Sequence, residues 1–450
     1  MANTTGPFPS SQSTTPFWRS QLDPIDEHRT TASLPGTCDV LIIGAGLSGA
    51  STAYHLVKDA KSSPASVVVL DARQVCSGAT GRNGGHVKLA WPMITSLAKE
   101  HGVEKAAEVA QFHISQIYAM KEAIEKEKID CDFALRRSYD VYLSKTEPEY
   151  GNVLLDHQLM ADVAVSKHVE FMDTKYAEQL TRTKDPKAAL SVPACSLWPY
   201  KLGANLLSIA IKKGVNLQTN TCVTSVPATR SALGYYTVET SRGVIKARKV
   251  LFASNGYTAG ILPEYRDKIV PWRGINSRIV VSECQIPPNL SNTYNLHNTY
   301  WHDKEQYYNN ADDSTLIEPA KQYFDGYMQR YFHDYTGTGA YTDMVWTGSK
   351  LIQSQCLVLV PLECISLNPA GLVMGCTPDS LPHIGAIPGR PDQFIMAGFN
   401  GAGMLHIFLS GRGMAKMLLD DIPFEETGIP SIFKTTQKRL NDTRKVKGYF

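Results

Sequence analysis

The chain has 450 residues, 43% of them apolar and 20% charged, the composition of a globular protein. That length exceeds the roughly 250–300 residues at which one core stops growing, so two domains are expected. A net charge of +2 gives neither nucleic acid nor an anionic membrane an electrostatic handle, and nine scattered cysteines without a C-x-x-C pair disfavour a metal site or a disulfide framework.

In chain order, residues 1–36 are polar and carry Pro7, Pro9, Pro16 and Pro24. They have neither the apolar core of a signal peptide nor the Arg-rich balance of a transit peptide. They read as a partly disordered tail that Phe17 and Trp18 pin to the surface. No run reaches the ~18–20 apolar residues of a membrane span, so the expected location is the cytoplasm, with reduced thiols.

The first strong signal is CDVLIIGAGLSGASTAYHLVKDA. Asp39 to Ile43 reads as a buried parallel strand. Gly44, Ala45, Gly46, Leu47, Ser48 and Gly49 follow as G-x-G-x-x-G, and Leu47, Ala50, Ala53, Tyr54 and Val57 recur at helical spacing. In this strand–turn–helix context Gly44 permits the tight turn and Gly46 admits a pyrophosphate. Gly49 lets the helix pack close, and the helix N-terminus supplies free N–H groups and partial positive charge. A bare G-x-G-x-x-G also describes turns that bind nothing. The second strand, Ser66 to Leu70, ends at Asp71, about 20 residues beyond Gly49, where an acid accepts from the adenosine ribose hydroxyls and disfavours a 2′-phosphate.

This fingerprint is shared by NAD and FAD. The segment that follows, Cys76 to His86, crowds small and hydrogen-bonding residues directly after the ribose acid. Such a run can pass close to a pyrophosphate and ribityl chain, or form a glycine-rich surface loop. Cys76 within it reads as packing.

The run GATGRNGGH resembles the flavin-contacting loop of the D-amino-acid-oxidase-like family of FAD-dependent oxidoreductases, which includes glycine oxidase and sarcosine oxidase. Three further blocks are similar: Pro199 to Val226, Lys249 to Thr258, and TPDSLPHIGAIPG with FIMAGFNGAGM. The resemblance implies an α/β architecture, with a Rossmann-type FAD-binding domain interleaved with an α+β substrate domain on an antiparallel-rich sheet. The FAD-binding parts would be 37–130, 199–262 and 374–450. The substrate parts would be 131–198 and 263–348, with 349–373 an atypical insertion.

It further implies FAD contacts from the fingerprint residues above, from Asp71, Ala72 and Arg73, and from Ser77, Gly78, Ala79, Thr80, Arg82, Asn83, Gly84, Gly85 and His86. Val223 would meet the adenine, and Ala253, Ser254, Asn255 and Gly256 would pass near the ADP. Gly398, Asn400, Gly401, Ala402, Gly403 and Met404 would close on the flavin, where a helix from Met404 to Leu419 points its N-terminus at the N1/C2=O edge.

The implied reaction is oxidation of a C–N bond in a small amine or amino acid. Hydride passes to flavin N5, the imine is hydrolysed, and oxygen reoxidises the flavin. Arg273 is a candidate carboxylate clamp or a structural ion pair, and His383 a candidate catalytic residue or a hydrogen-bonded turn residue. Tyr323, Tyr327, Tyr331 and Tyr335, four apart, read as a stripe capping a core.

The chain departs from the family twice. Near Leu296 a strand pair is missing, and Ser349 to Val373 intervenes between VWTG and GCTPDSLPHIG. These sharp-edged breaks suggest gene-model or splice artefacts. As real features they would leave unpaired strand edges in the substrate sheet and an aggregation-prone LVLVPLECISL run. One alternative is therefore an FAD-binding protein without turnover; another is an NAD-dependent dehydrogenase, which the glycine-rich loop argues against.

Overall fold

Val40 to Ile43 is apolar and uncharged, and it forms the middle of the first sheet. The computed structural model describes residues 7–58, 66–143, 158–160, 163–282, 285, 290–297, 308–316, 322–348, 355–360, 364–368 and 373–446. The strand Thr37–Ile43 pairs in parallel with Val67–Leu70 on one side and with Gly243–Phe252 on the other. Alternate residues enter different cores. Val40 and Ile42 join a cluster containing Leu47, Leu206 and Leu405, while Leu41 and Ile43 join Tyr236, Leu262 and Tyr265. Burial on both faces explains why all of Val67–Leu70 is apolar.

This eight-stranded sheet runs His383–Ala386, Gln393–Ala397, Gly243–Phe252, Thr37–Ile43, Val67–Leu70, Asn216–Gln218. Tyr236–Thr240 pairs antiparallel with Gly243–Phe252, and Val223–Ser225 with Tyr236–Thr240. The helix Leu47–Lys58 packs against both Pro199–Lys212 and Gly403–Asp420.

The second sheet has nine strands, ordered Tyr341–Gly348, Gly274–Val280, Cys364–Asn368, Gln355–Val360, Thr293–His297, Ala134–Tyr142, Ala188–Ser196, His86–Lys88, with Glu170–Asp173 beside Ala188–Ser196. Its pairs are antiparallel except Thr293–His297 with Ala134–Tyr142. Strands of the two sheets interleave along the sequence. A Rossmann-type layer and an antiparallel-rich α+β layer thus share one chain. Of the four tyrosines, Tyr323, Tyr327 and Tyr335 are buried within the core cluster that holds Val270, Phe324 and Phe332 rather than capping it, and Tyr331 packs against it. No helix among the described residues is long and apolar enough to cross a membrane.

Two further expectations are corrected. The described residues of the 349–373 stretch do not leave strand edges open at Gly274–Val280 and Thr293–His297. Their two strands pair with each other, Cys356 opposite Asn368, and slot between Gly274–Val280 and Thr293–His297. Two short apolar runs thereby pair the N–H and C=O groups along the facing edges of Gly274–Val280 and Thr293–His297. The second correction concerns the N-terminus. From residue 7 onward the expected tail has a defined place on the body of the protein, and Phe17 and Trp18 pin it there as expected, with Trp18 fully buried. Trp18 and Phe17 pack on Trp198 at ring-centroid distances of 5.5 and 5.0 Å.

One face of the second sheet buries a charge cluster. Asp140 Oδ1 accepts from Lys88 Nζ and from Asn295 Nδ2, each at 2.5 Å, and lies 3.3 Å from His297 Nε2. Burial alone would raise the Asp140 carboxyl, but Lys88 and His297 hold it well below the usual carboxylate range. A depressed carboxylate contributes stability that is present above its unfolded pKa of about 4 and lost as pH falls below it.

We therefore expect acid denaturation monitored by circular dichroism to show a stability loss below about pH 4, and Asp140→Asn to flatten that dependence. At neutral pH the same substitution should cost about 3–5 kcal/mol in urea unfolding, because Lys88 is left buried without its partner. Excising residues 355–368 should open two strand edges and bring aggregation, read as light scattering at concentrations where the intact chain stays clear.

Candidate functional site: a cleft between two helix N-termini

Gly44 ends the strand Thr37–Ile43 with φ +116°, and a Cβ there would stand 2.6 Å from the Ala253 carbonyl oxygen. Only glycine lets the turn close against the end of Gly243–Phe252. The helix Leu47–Lys58 starts directly after it. At the tip of the next strand, Asp71 accepts from Ala45 N at 2.7 Å and from Arg73 N at 2.8 Å. Burial pushes the Asp71 carboxyl up, and the two backbone N–H groups oppose that shift. Thr80 reaches back from the glycine-rich loop, its Oγ1 accepting from Leu47 N at 2.8 Å. The fingerprint turn, the strand-end acid and the loop are thereby knitted into one wall.

That wall borders a cleft of about 1160 Å³ including its open mouth. Of the residues expected at a cofactor, it is lined by Gly44, Gly46, Leu47, Ser48, Asp71, Ala72, Arg73, Ser77, Gly78, Ala79, Thr80, Asn83, Val223, Ala253, Ser254, Asn255, Gly401, Gly403 and Met404. The helix Gly403–Asp420 begins at the cleft, so two helix N-termini border the same space. Residues not expected from the sequence also line it: Phe8, Pro9, Thr221, Cys222, Tyr257, Ile261, Val373, Phe399 and Ile407. Ile407 lies one helical turn beyond Met404, a spacing that would have found it. Phe8 and Pro9 carry no such signal.

Several expected residues lie outside the lining. Ala45 and Gly49 sit behind the turn, where a Cβ on Gly49 would meet the Gly44 carbonyl oxygen. Arg82 turns away. Its guanidinium donates to Thr347 O at 2.8 Å, to Thr14 Oγ1 at 3.0 Å and to Ser77 O at 3.1 Å, and it lies 3.5 Å from Asp313. Burial pulls it down to about 10, while Asp313 favours its charge. Gly85, at φ +69°, has Leu197 O and the Trp18 ring where a Cβ would go, so its smallness serves packing. Gly84 does not reach the cleft either.

His86 is a strand residue 3.2 Å from Thr293 Oγ1, and burial lowers its ring to about 3, so it is neutral. Asn400 turns inward to accept from Thr377 N and donate to Gly398 O, both at 2.7 Å. Gly256 packs on Met374, and Gly398 on Thr377, while Ala402 lies just before the helix. Cys76 is buried against Gly203.

Neither candidate for catalysis faces the cleft. His383 lies in the strand His383–Ala386, its Nδ1 3.0 Å from Thr435 Oγ1 and its ring edge-on to Tyr265. Burial keeps it neutral. Arg273 donates to Thr315 Oγ1 at 3.2 Å and Thr315 O at 3.0 Å and lies 3.6 Å from Asp312.

The residues present fit a dinucleotide. Gly78 has no atom within 4 Å of a Cβ position, which leaves open backbone on the cleft. Asp71 offers an acceptor where ribose hydroxyls would lie, and two helix N-termini offer partial positive charge at separate points.

Comparison with known proteins agrees with this geometry. The family model described as FAD dependent oxidoreductase matches residues 39–417. Gamma-glutamylputrescine oxidoreductase of Escherichia coli is 24% identical over 238 residues, which span 52% of this chain and 53%, about half, of that relative. Glycine oxidase of Geobacillus kaustophilus superposes with a TM-score of 0.68 at 18% identity, covering 89% of this chain and 99% of the other. An L-amino acid deaminase of Proteus vulgaris superposes with a TM-score of 0.65 at 18% identity, covering 91% and 96%. With the fingerprint turn, the strand-end acid and the second helix N-terminus meeting at one cleft, the chain belongs to the FAD dependent oxidoreductase family.

Proposed function

We propose that this protein oxidises the C–N bond of a small amine or amino acid with FAD and passes the electrons to molecular oxygen. The observation that carries this reading is the convergence of Asp71, the 77–80 loop, the 253–255 turn and the N-terminus of Gly403–Asp420 on a single cleft. The relatives and structural neighbours support the substrate class, since they include a gamma-glutamylputrescine oxidoreductase, glycine oxidases and L-amino acid deaminases. We assign the domains as 37–130, 199–262 and 374–450 for FAD and 131–198 with 263–348 for substrate, the strands of 349–373 being part of the latter.

When bound, FAD supplies the two-electron acceptor. This chain's residues supply position and charge. Asp71, fixed by the N–H groups of Ala45 and Arg73, is oriented to accept from ribose hydroxyls. Gly46 and Ser48 line the cleft at the N-terminus of Leu47–Lys58, which would hold a pyrophosphate. Gly401, Gly403 and Met404 would present the second helix N-terminus to a flavin ring, where its partial positive charge would favour a reduced, negatively charged ring.

The purified protein should be yellow with a flavin spectrum. Asp71→Ala should weaken FAD binding at least tenfold, about 1.4 kcal/mol or more, in fluorescence titration of the apoprotein. An NAD-dependent activity without flavin would overturn the cofactor assignment. On a panel of amines and amino acids under air, we expect hydrogen peroxide with at least one substrate class. Bound flavin that no member of a broad panel reduces anaerobically would instead mark a binder without turnover. Reduction without peroxide on readmitting air would move the acceptor away from oxygen.

A further inference from the structure

The cleft has a wall that comes from neither sheet. Phe8 and Pro9 line it, and both are only half-buried. This stretch of chain is held at several points. The Pro7 carbonyl lies against Gly260, where a Cβ would be 2.6 Å away, and Ser10 O accepts from Arg73 Nη1 at 3.2 Å. Four residues on, Thr14 donates through its N–H to Asp313 O at 2.9 Å. Its hydroxyl accepts from Arg82 Nη1 and from Thr347 N, each at 3.0 Å, and its carbonyl accepts from Arg82 Nη2. Beyond that, the Trp18 indole donates to Asn83 O.

The exposed run 11–13 therefore bridges two anchors. One is on the nucleotide side, at Arg73 and Gly260. The other lies where the glycine-rich loop meets the second sheet, at Arg82 and Thr347. The segment is thus fixed on both sides of its exposed run, with Phe8 and Pro9 on the cleft. An apolar ring beside open space also gains contact area when the space is filled.

Resting on the reading of the cleft as the FAD site, we propose that residues 7–14 are part of that site. They form a strap that packs on the bound cofactor and limits its release. Phe8 and Pro9 supply the contact surface, and Thr14 is a positioning residue that latches the strap to Arg82 and Thr347. A latch of this kind acts on dissociation more than on encounter, because the closed segment must lift before the ligand leaves.

The test uses the full-length holoprotein, a variant lacking residues 1–11, and the full-length variants Phe8→Ala and Thr14→Val. FAD release is followed by recovery of flavin fluorescence after dilution, with melting temperatures recorded alongside. We expect release to accelerate at least tenfold in the truncated chain and about three- to tenfold in each point variant. The truncation keeps Thr14, Phe17 and Trp18, so the packing around Trp198 persists. If it nevertheless fails to fold, the two point variants decide the matter by themselves. Release rates equal to the intact chain's in folded variants would overturn the strap. Failure of the intact chain to bind FAD would overturn the site assignment instead, and the two failures are distinguishable.

Discussion

The Asp313 carboxylate is the junction on which the arrangement around the cleft depends. It is almost fully buried and receives both terminal nitrogens of Arg73 at 3.0 Å, with Arg82 Nε 3.5 Å away. Arg73 follows the acid at the end of the second Rossmann strand, Arg82 sits in the glycine-rich loop, and Asp313 comes from the 308–316 stretch. Two buried guanidiniums and one buried carboxylate tolerate no loss of a member, because the remainder would be stranded in low dielectric. The bidentate Arg73 pair fixes direction as well as charge. The loop, the strand tip and the 308–316 stretch are therefore held in one geometry, and the cleft keeps its shape between them.

That junction also changes the meaning of the glycine-rich loop. Its small residues divide their work. Gly78 leaves backbone open to the cleft, whereas Gly81 and Gly85 make room for the Cys76 carbonyl, the Arg19 stem, the Leu197 carbonyl and the Trp18 ring. Thr80 spends its hydroxyl on the helix N-terminus at Leu47. The loop is shaped as much by what packs behind it as by what it faces. The second sheet shows the same economy. The strands Gln355–Val360 and Cys364–Asn368 join Gly274–Val280 to Thr293–His297, so the backbone edges of both are paired, and unpaired edges are costly wherever they arise.

Much of the site is legible in the amino-acid sequence. The order of strand Thr37–Ile43, fingerprint turn, helix, strand Val67–Leu70 and Asp71 is written in local periodicity and in glycine spacing, both of which act over a few residues. The helix after Gly401 is equally plain, beginning one residue earlier than expected and ending one later. Arg82, His86, Arg273 and His383 are not legible in this way. A side chain's direction depends on which distant groups compete for it, and Asp313, Thr293, Asp312 and Thr435 lie far away in sequence. Phe8 and Pro9 sit in a proline-rich polar stretch with no periodicity to mark them.

Short windows of sequence are enough to dictate the cofactor-binding framework. G-x-G-x-x-G after an apolar strand, an acid at the next strand end and a second glycine turn before a helix impose backbone geometry locally, with little freedom left to the rest of the fold. Long-range packing sets the remainder: which donors face the cleft, how the second sheet is completed, and that the N-terminal segment forms a wall. Those outcomes rest on pairings between residues hundreds of positions apart, such as Thr14 with Thr347 and Arg73 with Asp313. Burial and the need to satisfy every buried charge and backbone group select such pairings, and no short window of sequence records them.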